Sequence, residues 1–105
     1  MTLNRVVVTG YGVTSPIGNT PEAFWDSLYQ GKIGIGPITK FDTSDIPVHN
    51  AGEIHDFPFD QYFVRKDRNR MDQYSLYAIY AALEALEHAN LDMETVDRDR
   101  TGVIV

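Results

Sequence analysis

Hydrophobic and polar positions along the chain divide it into four kinds of segment. Val6-Val7-Val8-Thr9 is a short β-branched run closed by Gly10, and its unbroken apolar character predicts a strand over residues 5–10 covered on both faces, as in parallel sheets. Gly10, Gly12, Pro16 and Gly18 then mark a loop. Thr20 as N-cap, Pro21 at the first helical position and Gly31 as a left-handed terminator frame a helix from about 21 to 30, with Phe24, Trp25 and Leu28 as its apolar contacts. From Lys32 to Phe59 the glycines and prolines Gly34, Gly36, Pro37, Pro47, Gly52 and Pro58 leave room only for short strands and turns. So long an irregular stretch is expected to pack on the main body and serve an interface or a site. Asp60 or a neighbour caps a brief helical turn containing Tyr62 and Phe63. Asp72 to His88 is the clearest helix: Leu76, Ile79, Tyr80, Leu83 and Leu86 recur every three or four residues among alanines, and Asn90 ends it with Leu91 folding back. Thr101-Gly102-Val103-Ile104-Val105 forms a second apolar run that reads as a strand.

Strand, helices and strand in this order predict a βαβ unit with parallel strands and a right-handed crossover. Two parallel strands do not make a viable sheet, because such strands are buried on both faces and need several neighbours. The pattern therefore predicts an α/β fold of which residues 1–105 are only the opening part, interrupted after its second core strand.

Composition bounds the function. At 43% hydrophobic and 23% charged residues the chain is ordinary for a folded protein. It has no apolar run of membrane-spanning length and no signal-peptide pattern at its start, which predicts a cytoplasmic protein with no membrane association. The absence of cysteine excludes a disulfide, a cysteine-ligated zinc or a thiol nucleophile within these residues. A net charge of −6 argues against nucleic acid as a partner. Arg65, Lys66, Arg68 and Arg70 nevertheless account for four of the nine basic residues within six positions.

Candidate chemistry is sparse. Gly10-Tyr11-Gly12 follows a strand as in a dinucleotide loop, but Ser15 stands where the third glycine belongs and Pro16 delays the helix, so glycines serving a tight chain path are the better reading. His49, His55 and His88 have no metal-ligand spacing, and the carboxylates have no acid–base setting. Tyr74, Tyr77 and Tyr80 read as packing residues with hydroxyls at the boundary. No cofactor is implied. The basic run is either a solvated polar segment ahead of the long helix or a dock that steers an acidic partner to one place on an acidic protein.

Arg5-Val6-Val7-Val8-Thr9-Gly10-Tyr11-Gly12-Val13-Thr14-Ser15-Pro16-Ile17-Gly18-Asn19, Phe24-Trp25, Lys40-Phe41-Asp42, Arg70-Met71-Asp72 and Thr101-Gly102-Val103-Ile104-Val105 together resemble the amino terminus of the β-ketoacyl-[acyl-carrier-protein] synthases, most closely the synthase II branch of fatty-acid elongation. The resemblance runs essentially end to end. It implies a thiolase-like fold of two five-stranded α/β halves and a homodimeric, full-length acyltransferase. It also implies a decarboxylating condensation: a cysteine takes an acyl group from carrier protein, and a malonyl-derived carbanion extends it by two carbons with help from two histidines and backbone amides. That cysteine and those histidines fall beyond Val105, and His49, His55 and His88 do not match them, so residues 1–105 alone are expected to be inactive. The resemblance carries over one binding role, with Lys66 and Arg70, and Arg65 and Arg68 beside them, receiving the acidic acyl-carrier protein; Asn69 stands where the family is often basic. Two other expectations stay open: a stand-alone carrier-binding module, and a structural fragment that self-associates through the edge at Thr101–Val105.

Overall fold

The structure, a computed structural model, describes residues 1–105. Helix α1 spans Pro21–Tyr29 and begins as its caps dictate: the Thr20 hydroxyl accepts the Ala23 amide at 3.2 Å, and Pro21 opens the first turn. It ends at Gly31, whose φ of +69° suits a residue without Cβ. Of its three expected apolar contacts only Phe24 is partly buried. Trp25 is 65% exposed and Leu28 is also exposed, because no other part of the chain lies across that face.

Strands β1 (Gly36–Pro37) and β2 (Asn50–Ala51) form a two-residue antiparallel ladder, Gly36 opposite Ala51 and Pro37 opposite Asn50. Beyond the ladder, Ile54, Phe57 and Phe59 carry the excursion back onto the body. Helix α2, Phe59–Tyr62, starts after Pro58 without a side-chain cap, and Phe63 leaves it in extended conformation to become buried. The expected capping role of Asp60 and the helical placement of Phe63 are thus both corrected. Helix α3, Arg65–Arg68, is a single turn, and a 3₁₀ turn at Arg98–Arg100 precedes the C-terminal run.

Helix α4, Gln73–His88, is the element around which the rest is arranged. Asn90 follows it at φ 50°, and the Leu91 amide folds back to the Leu86 carbonyl at 3.1 Å. Leu76 and Tyr80, one turn apart, are 2% and 3% exposed and pack with Phe57 and Phe63 as the core. The Phe57 ring meets Tyr77 and Tyr80 edge-on, with centroids 5.0 and 4.9 Å apart. A second stripe, Ala81 and Ala85, receives the backbone of residues 10–12: a Cβ on Gly10 would strike the Ala85 carbonyl, and one on Gly12 the Ala81 carbonyl. The glycines therefore serve close approach to a helix. Thr14 secures the crossing by donating its hydroxyl to the Tyr77 carbonyl at 3.2 Å. The third stripe, Ile79 and Leu83, faces solvent, as does Tyr74, so only part of the predicted apolar face and tyrosine row is packed.

The runs at 5–10 and 101–105 are the main departure from expectation. Neither forms a ladder with any strand, and Val6, Val8, Val103 and Ile104 are almost fully exposed. Thr9 and Gly10 of the first run and Thr101, Gly102 and Val103 of the second line one apolar groove of about 400 Å³ with Ala82, Ala85 and Leu86 of α4. The predicted buried strands and βαβ sheet are thus not formed. Each run is apolar on both faces, and nothing between residues 11 and 100 supplies the flanking strands that would bury it. The Cα radius of gyration of 17.5 Å records the same openness, against about 13 Å for a closed domain of roughly 100 residues.

Candidate functional site

The basic run is held out from the body by an apolar anchor at each end. Phe63 on one side is buried in the core, and Met71 on the other packs against it. Between them Val64 is extended and α3 makes its single turn, which closes as the Arg70 and Met71 amides both donate to the Asp67 carbonyl at 3.0 and 3.1 Å. So short a helix has little stability of its own, and the anchors determine its position.

The four cations are not equivalent. Arg65, Lys66 and Arg70 are exposed and have no carboxylate within ion-pair distance. Arg68 is half-buried, forms an ion pair with Asp60, and lies over the Phe59 ring with its guanidinium carbon 5.2 Å from the centroid. The structure thus brings the four predicted residues together but gives Arg68 a structural attachment that the others lack. Asp60, eight residues upstream, escaped sequence reasoning because nothing in linear spacing predicts that α2 and α3 fold against one another.

Other titratable groups are engaged elsewhere. His49 Nδ1 meets the Thr43 hydroxyl at 3.1 Å, His55 Nε2 lies 3.7 Å from Glu53, and His88 Nδ1 accepts the Tyr11 amide at 3.3 Å. The Glu53 carboxylate is buried and accepts from the Thr39 hydroxyl and the Thr39 and Lys40 amides. The Thr39 hydroxyl, more than any other contact, holds it below the ordinary carboxyl range. In the core, burial first and then the bond donated to Glu84 push the Tyr80 phenol upward. None of these groups converges with another into a reacting pair.

A family model described as the β-ketoacyl synthase N-terminal domain matches residues 3–105. The chain belongs to the β-ketoacyl synthase family. It is 43% identical over 101 residues to a 3-oxoacyl-[acyl-carrier-protein] synthase 2 of Synechocystis sp., covering 96% of this chain. It is likewise 43% identical over 99 residues to the protein of the same name from Staphylococcus aureus, covering 94% of this chain. The chain spans about a quarter of the length of these curated relatives, 24% in each case. The family match takes in both the basic run and the two unpaired apolar runs.

Proposed function

We propose that this chain is the amino-terminal region of a 3-oxoacyl-[acyl-carrier-protein] synthase, an acyltransferase that elongates fatty acyl chains by decarboxylating condensation with malonyl carrier protein in the cytoplasm. The observation that carries the reading is the identity of 43% over 96% of the chain to a relative of that name. Within the enzyme, residues 1–105 contribute scaffold and a docking surface, while the nucleophilic cysteine and the two assisting histidines come from other residues. In the thiolase-like fold proposed for the whole enzyme, residues 5–10 and 101–105 become core strands once neighbouring strands bury them. Their exposure here, with that of Trp25, Ile79 and Leu83, supports a larger body packing on this one, including the second subunit of a homodimer.

Arg65, Lys66 and Arg70 are the docking cations for acyl-carrier protein. Three exposed, unpaired positive charges on an anchored turn of a chain with net charge −6 give an acidic partner one favoured landing place. The test is condensation by the natural polypeptide that contains residues 1–105, supplied with acyl- and malonyl-carrier protein. Activity is expected, with a K66A/R70A double variant raising KM for carrier protein roughly 10-fold and leaving kcat nearly unchanged. A correctly folded polypeptide with no condensing activity would overturn the enzymatic reading, and an unchanged KM would overturn the docking role.

A further inference from the structure

We infer that Lys40 is a further docking cation for the same acidic partner, making the surface a composite of the excursion and the basic turn. The inference rests on the docking reading above. Lys40 is separated from the basic run in sequence, yet the fold carries it there. The buried Glu53 carboxylate accepts the Lys40 amide at 3.1 Å and the Thr39 hydroxyl at 2.7 Å, and the Ile38 amide bonds the His49 carbonyl at 2.9 Å next to the β1–β2 ladder. These bonds fix the backbone from which the lysine projects. Its ammonium donates to Gln73 Oε1 at 3.0 Å, and Gln73 is the first residue of α4. Gln73 in turn lines a cleft of about 120 Å³ together with Phe59, Arg68, Asn69 and Leu76. Lys40 is thereby tied to the rim of the cleft that adjoins the basic turn.

Arg68 is already matched by Asp60, whereas Lys40 is held by a neutral amide and has no carboxylate within ion-pair distance. Gln73 orients the ammonium without cancelling it, so the uncompensated positive set facing a partner is Lys40, Arg65, Lys66 and Arg70. An acidic protein surface presenting several carboxylates fits such a set better than a single small anion does, because the cations come from two separate segments.

The natural polypeptide containing residues 1–105 is titrated calorimetrically with acyl-carrier protein at about 20 mM and about 500 mM salt, as wild type and as K40Q, K40R, K66A and K32Q. Lys32 is an exposed lysine outside this cleft and controls for net charge. K40Q should weaken binding roughly 2- to 5-fold at low salt and flatten the salt dependence, K40R should bind like wild type, and K32Q should change nothing. If K40Q binds like wild type while K66A is weakened, or if K32Q weakens binding as much as K40Q, Lys40 has no specific role and the basic turn stands alone. If neither K40Q nor K66A weakens binding, the docking reading falls with it.

Discussion

Leu76 and Leu83 sit on the same helix, two turns apart, and their truncation to alanine separates the packed face of α4 from its open one. Both changes make the same improvement in intrinsic helix propensity, so the difference between them reports environment. Leu76 is 2% exposed and Leu83 45%. Truncation removes three carbons, worth about 2.4 kcal/mol at ~0.8 kcal/mol per buried methylene, and a residual cavity adds to this when the surroundings cannot close. Here the core is four side chains, with Met71 and Tyr77 only partly buried at its edge. That places L76A near 3 kcal/mol, toward the lower end of the range for buried leucines. Leu83, already nearly half in water, should cost about 1 kcal/mol. Urea unfolding of the 105-residue chain followed by far-UV ellipticity would show the ~2 kcal/mol gap as a midpoint difference of roughly 1 M. Equal midpoints for the two variants would refute the assignment of faces. In the full-length enzyme proposed above, a body packed over Ile79 and Leu83 would raise the cost of L83A to about 2–3 kcal/mol and narrow the gap.

The Glu53 clamp gives a pH-dependent signal. Its folded pKa is depressed below the ordinary 4.5, so its contribution is present above that value and is lost as pH falls through the folded pKa. The Thr39 and Lys40 amide resonances should accordingly titrate together with a midpoint below 4.5, and a midpoint at or above 4.5 would contradict the clamp. Gly12→Ala should destabilise the chain by about 1–3 kcal/mol, because its methyl group enters the Ala81 carbonyl and lifts residues 10–14 from α4. Gly36→Ala, which meets open space, is the control and should be neutral or slightly stabilising in the same denaturation assay.

The helices were readable where signals were local. Thr20, Pro21 and Gly31 fix α1 within a residue, and Asn90 stops α4 where a left-handed residue is needed. The periodicity of α4 predicted one broad apolar face, but the structure divides it among three neighbours. Leu76 and Tyr80 meet the excursion, Ala81 and Ala85 meet the glycine loop, and Ile79 and Leu83 are left partly open to solvent. Period alone ranks positions by hydrophobicity and does not say which partner covers each. The valine runs failed in the opposite way: their composition describes strands buried on both sides, a state that depends on flanking strands these residues do not provide.

The candidate site divides along the same line. Clustering of Arg65, Lys66, Arg68 and Arg70 is visible in the sequence, but their inequivalence is not, because it follows from Asp60 and Phe59 on a separate helix. The same physics admits Lys40. A buried carboxylate requires donors, Glu53 finds them at Thr39 and Lys40, and the backbone so fixed delivers an ammonium to Gln73. An ion pair at the surface thus matches one cation while a buried carboxylate positions another. The electrostatic face shown to a partner is set by which charges the fold has already matched, more than by how many the sequence places side by side.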